Sequence, residues 1–276
     1  MGKLYICGTP IGNLEDASIR LLKTLRRVDG IACEDTRQTL KLLNHFKIKN
    51  RLVSYHEHSN RQKEDYLLQE LLEGKNIALV SDAGMPAISD PGQPLVRRAV
   101  EAGIAVEVIP GPSAVTTAVA ISGIDCSTFV FAGFLPNRRQ KRRQYLLTLA
   151  EEKRPVICYE APHRLLAALE DIEEIMGRER GLIVARELTK IHEEIARGSA
   201  AALKEKFTLT APRGEICLII EAKAETRITK DLDTIMAEVD ELIEQGKTKK
   251  EAFKMKASEY QLQKSTIYNY YVEKHQ

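Results

Sequence analysis

The chain has 276 residues, of which 43% are hydrophobic and 29% charged, with a formal net charge of +2. This length suits one large or two medium domains, and the small net charge excludes a surface that attracts polyanions as a whole. The five cysteines are scattered without CxxC spacing, which argues against a disulfide framework or a zinc site. No signal pattern or membrane-length apolar run is present, so we expect a cytoplasmic protein without a metal or a membrane contact.

The first half of the chain alternates short apolar runs with helical patterns. Strands are predicted at residues 3–7, 30–33, 52–54, 77–80 and 106–109, each followed by a helix. Such alternation is typical of a mainly parallel sheet with helices on both faces. The sequence therefore predicts an α/β domain over residues 1–123.

Three of these strands end in loops rich in Gly and Pro, namely residues 8–13, 81–92 and 110–114. The loops lie at the carboxyl ends of strands, where open α/β sheets bind their ligands. The first loop lacks the GxGxxG pattern of dinucleotide sites and the Gly-Lys-Ser/Thr of phosphate-binding loops. Together the loops predict a cleft for another kind of small molecule.

A second α/β domain with a mixed sheet is predicted over residues 124–224, from strands at 129–134, 156–159, 182–185 and 216–220. Residues 138–143 carry five basic side chains in six positions. A solvated helix face is one explanation of this run. A segment that contacts RNA phosphates is the other, and it assigns that role to Arg138, Arg139, Arg142 and Arg143.

Residues 225–276 predict a third, all-α domain. Residues 225–246 hold seven acids and two bases, a balance of −5, whereas residues 247–276 hold seven lysines and three glutamates, a balance of +4. Two short helices at 249–258 and 265–273, joined by residues 260–263, are similar to a helix-turn-helix. We expect this segment, including Lys264, either to bind RNA or to serve only packing or dimer contacts.

Five motifs resemble one family, the small-subunit ribosomal RNA 2′-O-methyltransferase I family of the tetrapyrrole methylase superfamily. They are Leu4-Tyr-Ile-Cys-Gly-Thr-Pro-Ile-Gly-Asn-Leu14, Cys33-Glu-Asp-Thr-Arg37, Ser81-Asp-Ala-Gly-Met-Pro-Ala-Ile-Ser-Asp-Pro-Gly92, Pro110-Gly-Pro-Ser-Ala114 and Tyr159-Glu-Ala-Pro-His-Arg164. The resemblance covers essentially the whole chain. It implies a class III methyltransferase fold of two α/β domains with a helical C-terminal domain, and a homodimer.

The resemblance also implies S-adenosylmethionine (SAM) as methyl donor and, as substrate, a cytidine ribose in the decoding region of 16S rRNA within the small ribosomal subunit. Carried over by motif position, the cofactor contacts are Pro10, Asp82, Ala83, Gly84, Ile88, Ser113, Ala114, Glu160 and Leu188. Alternatives are a small-molecule methylase of tetrapyrrole type and a ribosome-binding factor without catalysis.

Methyl transfer to a ribose hydroxyl requires a group that accepts its proton or orients it. Asp35 is the first candidate, because it ends a strand beside the first loop and matches the position of a proposed catalytic acid in tetrapyrrole relatives. Glu160 and His163 are the rivals, and Asp35 is otherwise explained as a helix cap or as a partner of Arg37. The chain has no Trp and only six Phe, so we expect no aromatic-rich surface for stacking a single strand.

Overall fold

The computed structural model describes residues 1–56, 61–223, 231–260, 262 and 264–274. The chain divides into two compact units, Met1–Lys223 and Ala224–Gln276. The first unit contains both sheets, and their assignment to separate domains at 1–123 and 124–224 stays a prediction. No helix of the described residues is long and apolar enough to cross a bilayer.

The first sheet is entirely parallel, as predicted, with the strand order β3-β2-β4-β1-β5. Its strands are β1 Lys3–Cys7, β2 Gly30–Cys33, β3 Leu52–Ser54, β4 Ile77–Val80 and β5 Ala105–Ile109. The helices that connect or follow them are α1 Ile19–Arg27, α2 Thr36–His45, α3 Arg61–Leu72, α4 Gln93–Glu101 and α5 Ala114–Ser122.

Helices cover this sheet on both faces. Leu21 of α1 and Leu43 of α2 belong to the apolar cluster on one face, and Leu67 of α3 and Leu95 of α4 belong to the cluster on the other. The central strands β2 and β4 are buried along their whole length, which explains their continuous apolar sequences.

The second sheet is mixed, as predicted, with the order β6-β7-β10-β8-β9. Its strands are β6 Val130–Phe134, β7 Val156–Glu160, β8 Gly181–Arg186, β9 Glu194–Ser199 and β10 Ile216–Ile220. One face packs against the helices α6 Arg139–Leu149, α7 Leu165–Met176 and α8 Ala200–Leu209. The other face packs against Val115 and Ala118 of α5 and against Ile11 of the first loop.

Strand β9 is absent from the sequence prediction. Its sequence, EIARGS, combines charged residues with Gly and Ser and has no apolar alternation. It pairs antiparallel to β8 at the edge of the sheet, with Val184 opposite Ala196. Backbone pairing to an existing strand therefore forms this element, and such pairing leaves little trace in the hydrophobic pattern.

The second unit contains the helices α9 Leu232–Glu244, α10 Lys249–Glu259 and α11 Lys264–Lys274. They share a core that includes Val239, Phe253 and Ile267. Thr248 starts α10 with a capping box to Glu251. The two short helices agree with the prediction, whereas positions 261 and 263 of the predicted connection and residues 224–230 at the predicted boundary lie outside the described residues.

Candidate active site

The loops after β1 and β4 meet at the centre of the first sheet. These strands are neighbours, yet the chain leaves β1 toward α1 on one face and β4 toward α4 on the other. Open α/β sheets bind ligands at such a switch point. A two-way backbone bridge joins the loops there, since Thr9 N–H donates to the Gly84 carbonyl at 2.9 Å and Gly84 N–H donates to the Thr9 carbonyl at 3.1 Å.

Glycine is required at two kinds of position in these loops. Gly84 has φ +79°, a conformation that side chains disfavour. A Cβ on Gly8 would lie 2.7 Å from the Gly111 backbone, so the loops after β1 and β5 are in backbone contact only because no side chain separates them. The glycines therefore bring three strand ends together.

A cleft of ≈ 840 Å³ opens in front of these loops, lined on one side by the first sheet's loops and on the other by the second sheet. The size lies in the range of cofactor sites. Eight of the nine predicted cofactor residues line it: Asp82, Ala83, Gly84, Ile88, Ser113, Ala114, Glu160 and Leu188. Pro10 is buried and is not among the lining residues, and its neighbour Ile11 lines the cleft instead.

Asp35 makes the contacts of a helix cap and of a partner of Arg37. Its carboxylate caps α2 by accepting from Arg37 N–H at 2.8 Å and also pairs with the Arg37 guanidinium at 2.7 Å. The hydrogen bonds from Arg37 lower the pKa of Asp35 to about 2. Asp35 does not line the cleft, although its N–H donates to Asp82 Oδ1 at 3.0 Å. A carboxylate of such low pKa is a weak proton acceptor.

Glu160 has the opposite character. It lines the cleft, only 2% of it is exposed, and burial raises the pKa of its carboxyl group. Its Oε1 accepts from Ala161 N–H at 2.7 Å and from Arg164 Nη2 at 2.6 Å. Among the described residues its Oε2 has no hydrogen-bond partner, although a buried polar atom normally has one. The site therefore contains a buried carboxylate oxygen with no hydrogen-bond partner among the described residues.

Carboxylates dominate the charge of the cleft. Six line it, Glu34, Glu64, Asp82, Asp90, Glu160 and Glu215, and no Lys or Arg appears among the described lining residues. Burial raises the pKa of both Asp82 and Asp90. Glu64, Glu160 and Glu215 pair with Arg98, Arg164 and Lys190, which lie outside the lining. The carboxylates of Asp82 and Asp90 and the apolar Ala114 and Leu188 fit a small cation with an apolar part, such as the sulfonium of SAM. His163 is not among the described residues that line the cleft.

The second sheet contributes an aromatic wall that the sequence analysis missed. Tyr159 lies 5.2 Å from Phe131 and 5.3 Å from Phe134 between ring centroids, and both Tyr159 and Phe134 line the cleft. The expectation that no aromatic-rich surface exists for stacking a single strand rested on the number of aromatic residues and stays a prediction. Residues 214–217 and Asp90 also line the cleft without having been predicted, and the Ser-Asp-Pro-Gly sequence around Asp90 was the available signal.

Sequence comparisons identify the family. Residues 3–204 match the family model described as Tetrapyrrole (Corrin/Porphyrin) Methylases. A protein of Synechocystis sp. named ribosomal RNA small subunit methyltransferase I is 46% identical over 99% of this chain and 98% of its own length. This chain belongs to the ribosomal RNA small subunit methyltransferase I family, within the tetrapyrrole methylases.

A second relative and a solved structure show how far the sequence similarity and the shared fold extend. A family member of the same name from Thermotoga maritima is 50% identical over 223 residues, which are 81% of this chain and 100% of that protein. The 53 remaining residues (276 − 223) equal the second unit in number. The solved methyltransferase CobJ has a TM-score of 0.62 at 16% identity over 81% of this chain and 95% of its own, which shows a shared fold.

Three of the five basic side chains in residues 138–143, after β6, form ion pairs within the protein. Arg142 is 4% exposed and its guanidinium lies 2.7 Å from Asp171 Oδ2, which is fully buried. Arg139 and Arg143 reach Asp171 Oδ1 and also pair with Glu174. Although burial would raise the pKa of Asp171, the hydrogen bonds from the three arginines lower it.

Arg138 remains available, and so does Lys141, which the prediction did not name. Both are exposed and form no ion pair with any described residue. Lys264, at the start of α11, is exposed in the same way. By contrast Lys256 pairs with Glu238 and Lys274 pairs with Asp233, so part of the C-terminal positive charge is neutralised inside the second unit.

Proposed function

We propose that this chain methylates the 2′-hydroxyl of a cytidine ribose in the decoding region of 16S rRNA, with SAM as the methyl donor. The observation that carries the proposal is the carboxylate-lined cleft at the switch point of the first sheet. Its charge suits a cationic cofactor and would repel a free polyanion, which accords with a single sugar entering while the phosphates stay outside. The names of the relatives, ribosomal RNA small subunit methyltransferase I, support the RNA substrate.

SAM supplies an electrophilic methyl group on a positively charged sulfur. We assign its binding to the backbone around Ala83 and Gly84, to Ser113 and Ala114, and to Leu188 on the facing wall. Asp82 and Asp90 provide the negative charge that holds a cation in a partly desolvated site. Pro10 then acts indirectly, by shaping the loop that presents Ile11.

We assign acceptance of the hydroxyl proton to Glu160 rather than Asp35. As the ribose oxygen forms its bond to the methyl carbon and the carbon–sulfur bond breaks, the proton passes to Glu160 Oε2. This oxygen is buried without a partner in the described structure, and the raised pKa of the carboxyl group brings its basicity closer to neutral pH. Arg164 and the Ala161 N–H hold Oε1 and so fix the orientation of the carboxylate.

RNA phosphates are proposed to contact Arg138, Lys141 and the exposed lysines of the second unit, including Lys264. Arg139 and Arg143 can contact RNA phosphates only while they also pair with Asp171 and Glu174. Arg142 is buried. A homodimer, a cytoplasmic location and the small ribosomal subunit as the physical substrate remain part of this proposal. Sedimentation of the purified protein, which gives its mass in solution, tests whether it is a dimer.

The test is methyl transfer from labelled SAM to 30S subunits that lack the modification, with a porphyrinoid as the competing substrate. Incorporation into the cytidine ribose of 16S rRNA supports the proposal. Transfer to the porphyrinoid alone would identify a small-molecule methylase. SAM binding without transfer to either substrate would leave only a binding role.

The role of Glu160 is tested in the same assay under single-turnover conditions. Glu160→Gln should lower the rate by ~10²–10⁴-fold with SAM affinity retained. Glu215→Gln is the matched control, because Glu215 also lines the cleft but its side chain is 72% exposed and pairs with Lys190. Equal effects of both substitutions would show that Glu160 acts only through the charge of the cleft.

A further inference from the structure

An irregularity in strand β6 exposes the side chain of Phe134 to solvent. Residue Phe131 pairs with Ile157 of β7, but Phe134 pairs with Tyr159, so β6 advances three residues while β7 advances two. The extra residue makes a β-bulge, and Gly133 within it has φ +62°. The bulge changes the face of the sheet to which the last residue of the strand points.

A regular strand would place Phe134 elsewhere. Side chains alternate along a strand, so Phe134 would share the face of Val130 and Ala132, which pack against the helix-covered core. With the bulge it lies on the face of Phe131 and Tyr159 instead, where 54% of it is exposed and it lines the cleft. A bulge can also protect an edge strand from pairing, but that purpose does not require an apolar ring in the cleft.

The opposite wall of the cleft supplies a second exposed apolar side chain. Ile88, in the loop after β4, is 62% exposed and also lines the cleft. The walls approach each other here, since a Cβ on Gly133 would lie 3.7 Å from Oγ of Ser89, the next residue. Arg138, exposed and without an ion pair to any described residue, follows Phe134 by four positions.

We propose that Phe134 stacks on the base of the target nucleotide, which leaves the RNA stack and lies between Phe134 and Ile88. This inference rests on the proposed function and adds a substrate subsite to it. Enzymes that modify one nucleotide commonly read it out of the stack between aromatic and apolar side chains. The extruded base positions its own ribose at the cleft, while its phosphate remains near Arg138.

The exposure of Phe134 favours the substrate base over the adenine of the cofactor. Ala185, Leu188 and Cys217 line the cleft and are almost fully buried, which suits a ligand that is enclosed during catalysis. More than half of Phe134 is open to solvent, which suits a ligand that arrives from outside in every turnover. The two ligands make different predictions for SAM affinity.

The experiment measures methyl transfer to unmodified 30S subunits and SAM binding by calorimetry. Phe134→Ala should lower kcat/KM by about 5- to 140-fold, the equivalent of ~1–3 kcal/mol per stacked base, with SAM affinity unchanged. Phe134→Tyr should restore most of the activity because the ring remains, and Phe134→Leu should not. Leu147→Ala, at a position 60% exposed outside the cleft lining, is the control for loss of an exposed apolar side chain.

Two results would overturn the inference. One is wild-type kcat/KM in Phe134→Ala. The other is a loss of SAM affinity as large as the loss of kcat/KM, which would assign the ring to the adenine.

A separate measurement does not depend on methyl transfer. Cytidine monophosphate at millimolar concentration, added to protein loaded with S-adenosylhomocysteine, should show upfield shifts of its base protons in wild type and not in Phe134→Ala. Equal shifts in both proteins would overturn the stacking. If the shifts depend on Phe134 but 30S subunits are not methylated, the stacking is supported and the proposed function fails.

Discussion

Arg142 should stabilise the fold and not contact RNA, although it lies in the middle of a basic run. Its guanidinium makes two contacts to Asp171 Oδ2, from Nε at 2.8 Å and from Nη2 at 2.7 Å. Removing one partner of a buried ion pair typically costs ~3–5 kcal/mol. Arg139 and Arg143 still reach the other oxygen of Asp171 in Arg142→Ala, so we expect the lower end, ~3 kcal/mol.

For a unit of 223 residues, this loss lowers the melting temperature by about 6–12 °C. Differential scanning calorimetry of Arg142→Ala checks the shift, with SAM absent so that ligand binding adds no stability. Adding Asp171→Asn should recover part of the loss, because it removes a buried charge that has lost one of its three arginine partners.

The matched variant is Arg138→Ala combined with Lys141→Ala in the same segment. Both side chains are exposed, so the melting temperature should stay near that of wild type. The slope of log affinity for 30S subunits against log salt should fall by ~0.7–0.9 per lost phosphate contact. A wild-type melting temperature in Arg142→Ala together with a reduced salt slope would refute the assignment and make Arg142 a phosphate contact.

Four further outcomes test the site. Asp35→Asn should retain the helix cap, because Asn also caps helices well. Its turnover should fall by far less than the ~10²–10⁴-fold expected for loss of a general base. A loss in that range would identify Asp35 as the proton acceptor. Gly84→Val should abolish SAM binding in a folded protein, because φ +79° disfavours a β-branched residue; wild-type affinity by calorimetry would contradict this. SAM affinity should decrease from pH 7 to pH 5, because the pKa values of Asp82 and Asp90 are raised and protons then compete with the cation. The affinity of S-adenosylhomocysteine, which lacks the sulfonium, should change less over the same range. Deleting residues 225–276 should spare SAM binding but weaken 30S binding and its salt dependence, and unchanged 30S binding would show that this segment serves only packing.

The pattern of strand and loop was readable from the sequence because it is local. Apolar runs such as 77–80 are typical of strands that are buried on both faces, and the Gly- and Pro-rich loops follow from the backbone conformations that those residues permit. Eight of nine cofactor candidates consequently line one cleft. Strand β9 was not predicted, because pairing with β8 and not its own hydrophobicity determines its position at the edge of the sheet.

The state of individual charged and aromatic side chains was decided only by the tertiary structure. Arg138 and Arg142 are indistinguishable in the sequence, yet one is exposed and the other is buried against Asp171, which comes from a helix 29 positions away. Phe134 reads as the end of an apolar strand, and a bulge of one residue turns it into the cleft. Local sequence determines backbone elements through short-range sterics and burial, whereas the partners of a side chain depend on distant segments that only folding brings together.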